Sequence, residues 1–470
     1  MKAGFEGILV QGISRRAFLV SAGGATVAVA FGGLAGMRRA LAQAKEFQPN
    51  GWMRVAADGT VAIYSPASEM GQGVMTAMPL LIAEEMDLDW GKVKVEQAPY
   101  VPKTFGNPMF GGGMITGASR TTRGYYEVMR IAGMQARYVM MYAAAKKWGV
   151  PIFELSTEPH QVVHAASGRK LGYGEIAAFA EMPAGMPEYT AQHLKPAAKF
   201  RLVGKDFPRV DVPDKTMGKA QYGIDVRMPG MLYGTVLASP VEGEKPDKID
   251  AAAAKKVPGV KAVVPLPYGV GVIADSYWAA RKARNVLKVA WSSGSKARAY
   301  SSDKIAQEYL VRARNLGDNG VEFMKHGDPE GALKGAAKVL QAEYVTEHTA
   351  HACMEPMNAT ARVDGDKVEL WASNQSPSVM QFICAGVAKT APQNVMVHTP
   401  FLGGGFGRRG AGDYVGEAVE ISKAAGVPVK LTWSREDDMQ HDIYRPASYT
   451  RFAACLDSDG LPVALTSRIV

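Results

Sequence analysis

Cysteine is scarce in this chain, with only three among 470 residues. Cys353, Cys384 and Cys455 stand far apart, so the sequence contains no CxxC pair and no spacing typical of a zinc or iron–sulfur site. If the protein carries out redox chemistry, we therefore expect any iron–sulfur centre to lie on another chain.

Charge is also modest, because charged residues make up 21% of the chain and the net charge is +9 at neutral pH. The positive charge is spread along the sequence, which indicates a basic solvated surface and no nucleic-acid partner. Hydrophobic residues at 47% are enough for a packed core, while 51 glycines and 27 prolines predict many turns. We expect an α+β fold that is rich in loops and has several domains.

The amino terminus has the order of an export signal. SRRAFLV at 14–20, with Arg15 and Arg16, is followed by a glycine-rich apolar run and a small-residue site that ends at Ala42. This order is typical of a twin-arginine signal peptide over residues 1–42. The apolar run is too short for a spanning anchor, so we expect contact with the membrane only during export and a periplasmic location. Because this route moves folded proteins, the signal also indicates a cofactor that is inserted before export.

Local patterns predict several elements of the mature chain. Residues 53–64 alternate around Asp58-Gly59 as in a hairpin, and VKVEQAP is predicted as a strand. A long helix is predicted to run to about Trp148 with Ser119 as its N-cap. We also predict a helix over IDAAAAKKVPGV and a closing loop over SREDDMQHDIYRP.

Three glycine-rich loops occur in the sequence, each before a predicted helix. GQG at 71–73, GGGMITGASR at 111–120 and GGGFGRR at 403–409 each lead towards a predicted helix. Backbone N–H groups at helix N-termini suit anions, and glycine lets a ligand approach the backbone closely. A tight turn is the alternative for any one loop, and the match of the last loop to a dinucleotide fingerprint is weak.

Several longer motifs now add up to a resemblance that covers the chain from about residue 47. The motifs are EMGQGVMTAMPLLIAEEMDLDW, TGASRTTR, GKAQYGIDVRMPGMLYG, HACMEPMNATARV, ASNQSPSVMQ, GGGFGRR and WSREDDMQHDIYRP. With them the chain resembles the large, molybdenum-binding subunit of the xanthine oxidase family. The order of the loops, with GQG and TGASR before GGGFG, is similar to the isoquinoline 1-oxidoreductase branch, which includes aldehyde-dehydrogenase-like proteins.

The resemblance implies a division into domains. A cofactor (dinucleotide) binding domain is expected over 47–182, a linker over 183–214 and an a/b hammerhead domain over 215–300. The first molybdenum-cofactor-binding domain would occupy 301–470 and would be incomplete at its C-terminus.

The resemblance also implies a site. In the family a glutamine at the place of Gln375 lies beside the molybdenum, and the GGGFG loop offers backbone N–H groups to the cofactor. The cofactor implied is molybdopterin cytosine dinucleotide, and no side chain is expected to ligate the metal. The residues implied to bind the cofactor are Gly71, Gln72, Gly73, Thr116, Gly117, Ala118, Ser119, Arg120, Gln375, Gly405, Phe406, Gly407 and Arg408.

The function implied is that of the large subunit of an exported molybdenum hydroxylase. Such an enzyme oxidises a small molecule, an aldehyde or an aromatic N-heterocycle, with water as the oxygen source. Electrons would pass to a small [2Fe–2S] partner subunit, and a cytochrome c is a candidate acceptor beyond it. The alternative is a non-catalytic exported protein of the same fold that binds a cofactor or a partner.

Two departures from the family pattern limit the transfer. The substrate-orienting glutamate that many relatives carry after GGGFG is replaced here by the stretch GRRGAG. The general base of the family, a glutamate in a GxGE segment, has no match up to Val470 and is expected beyond it. Glu355 is expected to be structural. His348 and His351 could bind a metal or could serve packing and hydrogen bonding. The acidic cluster 436–438 could bind a cation or could lie in a solvated loop.

Overall fold

The computed structural model describes residues 46–318 and 320–470, which form two compact units that divide between Ala220 and Gln221. Helices and strands are mixed in both units, so the predicted α+β class is confirmed. The predicted signal peptide, residues 1–42, lies outside the described residues, and export stays a prediction. No helix of the described part is long and apolar enough to cross a bilayer.

The first unit contains two sheets and a pair of packed helices. One sheet has the order β1-β2-β3-β4, in which β3 and β4 are parallel, and the other is an antiparallel β5-β6-β7 meander. The strands are β1 (Phe47–Asn50), β2 (Met53–Val55), β3 (Val61–Ser65), β4 (Val93–Gln97), β5 (Leu155–Glu158), β6 (Gln161–His164) and β7 (Arg169–Gly172). The helices are α1 (Val74–Met86), α2 (Pro102–Phe105), α3 (Thr121–Trp148), α4 (Tyr173–Ala177) and α5 (Val212–Thr216).

The hairpin and the long helix of this unit agree with the sequence patterns. β2 and β3 pair antiparallel, and α3 ends at Trp148 before a left-handed Gly149. The N-cap prediction is wrong, because Arg120 occupies that position and Ser119 lies one residue earlier in the left-handed region. α1 and α3 approach closely at Gly133, where an added Cβ would lie 2.6 Å from the Ile82 carbonyl oxygen.

The segment predicted as a linker is held against the first unit over much of its length. The buried Glu84 carboxylate accepts backbone hydrogen bonds from Arg201, Leu202 and Val203 at 2.9, 2.5 and 3.0 Å. Further along, the Val210 N–H donates to the Thr76 hydroxyl at 3.0 Å. Because buried carboxylates anchor it, this stretch is ordered packing and differs from a free linker.

The second unit is built on one mixed sheet of order β10-β11-β8-β17-β14-β15-β16, with β9-β12 and β13-β18-β19 as smaller sheets. Its strands are β8 (Leu232–Ala238), β9 (Pro246–Asp250), β10 (Val260–Leu266), β11 (Gly269–Ala274), β12 (Lys288–Trp291), β13 (Val339–Thr346), β14 (Asn358–Asp364), β15 (Lys367–Trp371), β16 (Val395–His398), β17 (Val429–Thr432), β18 (Ser448–Leu456) and β19 (Pro462–Ile469). Its helices are α6 (Ala252–Lys255), α7 (Tyr277–Asn285), α8 (Ser302–Arg314), α9 (Pro329–Gly335), α10 (Pro377–Ala388), α11 (Asp413–Ala425) and α12 (Arg435–Gln440).

One sheet therefore joins the regions predicted as hammerhead and first molybdenum domains. β8 and β17 pair in parallel, with Gly234 opposite Leu431. The domain division from the sequence stays a prediction. The helix predicted over IDAAAAKKVPGV is wrong for most of its length, because Ile249 belongs to β9 and pairs with Val289 of β12, which leaves only the single turn α6.

Parallel pairing of β15 with β16 positions the predicted site. Trp371 lies opposite His398, so the two strands end at the same edge of the sheet. Gln375 follows β15 and leads into α10, while the GGGFG loop follows β16 and leads towards α11. The topology thus brings together residues that are distant in the sequence.

Candidate functional site

A hydrogen bond joins the two segments that the sequence predicts at the site. The Gly407 backbone N–H donates to the Gln375 side-chain Oε1 at 2.9 Å, and the Gln375 N–H donates to the Arg409 carbonyl at 2.9 Å. Gln375 is buried. Gln375 therefore holds the loop after β16 through two groups of its own, the side-chain amide and the backbone N–H.

The loop itself has a strained, open backbone. Gly404, Phe406 and Gly407 have φ values of 98°, 53° and 100°. The left-handed conformation costs a residue such as phenylalanine about 1–2 kcal/mol, so contacts around the loop must maintain it. A Cβ added to Gly407 would meet nothing within 4 Å, and the Phe406 side chain is 67% exposed. The loop therefore leaves room for a ligand beside Gly407, whose own N–H is already bonded to Gln375.

A buried thiol supports the loop from behind. Cys353 Sγ donates to the Gly405 carbonyl at 3.6 Å. Burial raises the pKa of the Cys353 thiol, so the group stays protonated and keeps its donor. The carbonyl is thereby turned towards the protein interior.

The Arg408 side chain is buried and contacts two carboxylates. Its guanidinium donates to both Asp413 oxygens at 2.9 and 2.7 Å, and its Nε lies 2.7 Å from Asp442 Oδ1. The group also lies over the Trp433 ring at 5.5 Å and is 2% exposed. Two carboxylates thus contact the buried cation, and binding of the cofactor by Arg408 stays a prediction.

Arg409, which the sequence analysis missed, links the loop to the HACMEP motif. It donates to the Gly404 carbonyl at 2.8 Å and to the Glu355 carbonyl at 2.6 Å. The Glu355 carboxylate in turn accepts from Ile224 N, Asn358 Nδ2, Ser373 Oγ, Gly403 N and Arg409. With so many donors the carboxylate joins the loop to neighbouring segments, which agrees with the structural role expected for Glu355.

In the first unit, a buried carboxylate takes the N–H donors of the GQG loop. Glu69 accepts from Gly71 and Gly73 at 2.8 and 3.1 Å, and from Met75 in the first turn of α1 at 3.0 Å. Arg209 reaches the same carboxylate at 3.3 Å. In this conformation the N–H groups predicted to bind a phosphate donate to the Glu69 carboxylate of the same chain. The one sequence signal for Glu69 is its place two residues before the glycine.

The Gln72 side chain closes the same loop on itself. Its Oε1 accepts from the Met70 N–H at 2.8 Å and its Nε2 donates to the Ser68 carbonyl at 2.8 Å. Gly71 and Gly73 have φ values of 112° and 86°, which a residue with a Cβ rarely adopts.

The TGASR segment has an unusual backbone before α3. Ala118 and Ser119 both have positive φ, at 49° and 54°, which is costly for residues other than glycine. A Cβ added to Gly117 would meet nothing within 4 Å. An anion would suit the open space at the start of this long helix, and anion binding by these residues stays a prediction.

The flanking residues of this segment are held by the protein. The Thr116 hydroxyl accepts from the Ser68 N–H at 3.0 Å. Arg120 donates to the Met109 carbonyl at 3.2 Å and lies over the Phe110 ring at 5.1 Å. Thr116 therefore links the two predicted loops of the first unit.

The other titratable clusters have protein partners. His351 contacts Asp442 through Nδ1 at 2.9 Å, and His348 contacts Tyr300. The stretch 436–438 lies in α12, not in a solvated loop, since Asp437 and Asp438 are buried. Each carboxylate of this stretch pairs with a separate arginine: Glu436 with Arg281, Asp437 with Arg284 and Asp438 with Arg435.

Comparison with protein families gives two matches. Models of the molybdopterin cofactor-binding domain match residues 14–224 and residues 313–470. Together they include every segment that the sequence analysis places at the site.

Comparison with curated proteins gives relatives over nearly the whole chain. The chain is 37% identical to the beta subunit of isoquinoline 1-oxidoreductase from Brevundimonas diminuta, over 96% of this chain and 63% of that protein. It is 34% identical to the membrane-bound aldehyde dehydrogenase (pyrroloquinoline-quinone) of Gluconacetobacter polyoxogenes, over 95% and 59%. A nicotinate dehydrogenase chain of Pseudomonas putida is 27% identical, over 87% and 34%.

The chain thus spans less than two thirds of the length of these relatives. The family matches and the order of the glycine loops agree. On this evidence the chain belongs to the molybdopterin-binding subunits of the xanthine oxidase family.

Proposed function

We propose that this chain is part of the large subunit of a molybdenum hydroxylase, which oxidises an aldehyde or an aromatic N-heterocycle with water as the oxygen source. The observation that carries the proposal is the hydrogen bond from Gly407 to Gln375, which fixes an open glycine loop where two parallel strands end. The names of the relatives, an isoquinoline oxidoreductase and an aldehyde dehydrogenase, support the substrate classes.

The residues of the chain would bind and orient the cofactor. When bound, a molybdenum–pterin group supplies a two-electron redox centre and a Lewis acid. Gln375 would hold the Gly407 N–H in place, and the backbone of Phe406 and Gly407 would face the group. The TGASR segment, with its two left-handed residues, would face the pyrophosphate of a cytosine dinucleotide tail.

The partner and the location are further parts of the proposal. Electrons would leave through a small [2Fe–2S] subunit, since the three cysteines of this chain are far apart in sequence. A cytochrome c is a candidate acceptor after that subunit. The Arg15–Arg16 pair supports twin-arginine export to the periplasm.

The decisive test measures molybdenum and acid-released CMP. Protein purified from the periplasm of its own host, with its partner subunits, should contain about one of each per chain. If a full-length exported sample contains no molybdenum and no CMP, the proposal is overturned and a non-catalytic protein is favoured. Stoichiometric pyrroloquinoline quinone in place of molybdenum would also overturn it and match the name of the second relative.

Export is tested separately. Changing Arg15→Lys together with Arg16→Lys should trap the precursor in the cytoplasm, as fractionation and immunoblotting would show. Normal export of the double variant would contradict the signal assignment and leave the cofactor assignment intact.

A further inference from the structure

A cleft of about 530 Å³ lies in the second unit, between strands β8 and β17 and helix α7. None of the residues predicted to bind the cofactor lines it. Its lining includes the aromatic side chains of Tyr233, Trp278 and Trp433, and its charged groups are four cations and one carboxylate: Arg227, Arg281, Lys430, Arg435 and Asp275. The volume is in the range of small-molecule sites, which combine apolar walls with a few polar groups.

Lys430 is a buried ammonium without an anionic partner. The residue is 2% exposed, and its Nζ donates to the Ile224 carbonyl at 2.6 Å. No carboxylate of the described residues lies within the 4.0 Å of an ion pair with it. A buried charge that is not paired is costly, and such a group in a cleft is a candidate for binding a ligand.

The surroundings of Lys430 leave it largely charged at neutral pH. Burial and the nearby Arg227 together lower the pKa of Lys430 to about 8, against the opposite influence of Asp225 and Glu355. Lys430 lies opposite Tyr233 in the parallel pairing of β17 with β8, and the Tyr233 hydroxyl accepts a hydrogen bond from Arg227 at 2.8 Å, so both cations lie at the same side of the cleft.

Arg227 is the second cation of the cleft without a carboxylate partner in the described part of the chain. It is exposed and donates to the Tyr233 hydroxyl at 2.8 Å. The other two arginines of the cleft differ, because Arg281 pairs with Glu436 at 3.2 Å and Arg435 with Asp438 at 2.5 Å.

Aromatic side chains offer a surface next to these cations. Trp278 is 65% exposed and is adjacent to Tyr277, with ring centroids 5.5 Å apart. An exposed tryptophan at the rim of a cleft is available to stack on a flat ring. Two unpaired cations beside such a surface select a ligand that carries both an anionic group and a ring.

We propose that this cleft binds a small aromatic carboxylate, with the carboxylate at Lys430 and Arg227 and the ring against the aromatic wall. The binding does not depend on the proposed redox function. If that function holds, an aromatic carboxylate is also the class of product that oxidation of an aromatic aldehyde yields. The cleft would then be a second site for product, apart from the cofactor loops.

The test is a titration of the full chain with 4-fluorobenzoate, followed by ¹⁹F NMR in the absence of any oxidisable substrate. We expect saturable binding that Arg227→Gln and Lys430→Gln each weaken at least tenfold. Lys367→Gln, which removes an exposed lysine on β15, is the matched control and should leave the affinity unchanged. Circular dichroism melts of all three variants check their folding. If Lys430→Gln does not fold, the affinity of Arg227→Gln, which changes an exposed residue, decides the result.

Two further probes test whether binding needs both the negative charge and the aromatic ring. 4-Fluorobenzamide should not bind, and inorganic phosphate should not displace the benzoate at equal concentration. Equal binding of the amide, unchanged affinity in Arg227→Gln, or displacement by phosphate would each overturn the proposal. Because no turnover is measured, these outcomes are independent of the molybdenum assay.

Discussion

The Gln375 side chain and the Gly407 backbone are joined by a hydrogen bond of 2.9 Å, although 32 positions separate them in the chain. The bond holds a glycine with a φ of 100°, next to a phenylalanine that is also left-handed. The position of the loop after β16 therefore depends on an amide after β15.

Removal of this amide should affect activity more than cofactor content. Gln375→Ala frees the Gly407 N–H and lets the loop relax, so we expect turnover to fall at least tenfold. Molybdenum content, measured by plasma mass spectrometry, should stay above half of the wild-type value because the substitution leaves the other proposed cofactor-binding segments unchanged.

A matched glutamine separates this effect from stability. Gln381 on α10 donates its amide to the Pro392 carbonyl at 2.8 Å, so Gln381→Ala also removes a bond from an amide to the backbone. We expect Gln381→Ala to keep its turnover. Equal loss of molybdenum and activity in Gln375→Ala would contradict the placement of Gln375 beside the cofactor.

Glu69 should be important for the stability of the first unit. Glu69→Ala leaves three backbone N–H donors at the GQG loop without their acceptor and removes one of the two carboxylates that contact Arg209. We expect a loss of about 3 kcal/mol in the free energy of unfolding, because breaking a buried charged network is costly. Urea unfolding measures the loss.

An exposed ion pair gives the control for Glu69. Glu46 contacts Arg54 at 2.8 Å with a side chain that is 37% exposed. Glu46→Ala should change the free energy of unfolding by less than about 1 kcal/mol. A loss in Glu69→Ala that is no larger than this would show that the carboxylate does not hold the loop.

Gly403 should not tolerate a side chain. An added Cβ would lie 2.3 Å from the Glu355 Cβ, so Gly403→Ala must displace either the loop or the HACMEP motif. We expect a loss of about 1–3 kcal/mol in thermal or urea unfolding. Gly386 in α10 is the control, since its Cβ would meet nothing within 4 Å and Gly386→Ala should stabilise by about 0.5 kcal/mol. Similar melting temperatures for the two variants would contradict this packing.

Glu417 should make stability depend on pH. Burial, together with Asp413, Asp437 and Glu420, raises the pKa of this carboxyl to about 8. In the unfolded chain the pKa of a glutamate is about 4.3. Between these values the folded state keeps a proton that the unfolded state has released, so stability falls as the pH rises towards about 8 and then levels off.

Glu417→Gln should remove this dependence. The amide oxygen can still accept the bond that the Trp433 indole donates to Glu417 at 2.7 Å, and it carries no charge. We expect the variant to gain on the order of 1 kcal/mol per pH unit over the wild type between pH 5 and 8, measured by urea unfolding. The exposed Glu330→Gln should follow the wild type, and parallel pH curves for Glu417→Gln and wild type would contradict the buried, protonated state.

Local sequence patterns determined much of the secondary structure of this protein. The hairpin of β2 and β3, the end of α3 at Trp148 and the strand β4 follow from alternation, helical spacing and turn residues that act within a few positions. The same holds for the existence of the glycine loops, because glycine alone adopts their left-handed backbone without cost.

Tertiary structure decided what the charged side chains do. Nothing in the sequence near Arg408 shows that Asp442 pairs with it, and nothing near Glu84 shows that it anchors Leu202. These partners are far apart in the chain and meet only because burial makes an unpaired charge costly, so each buried charge takes the partner that the fold brings to it. The sequence could therefore determine where the loops are, while only the packed chain determined which of their polar groups remain open to a ligand.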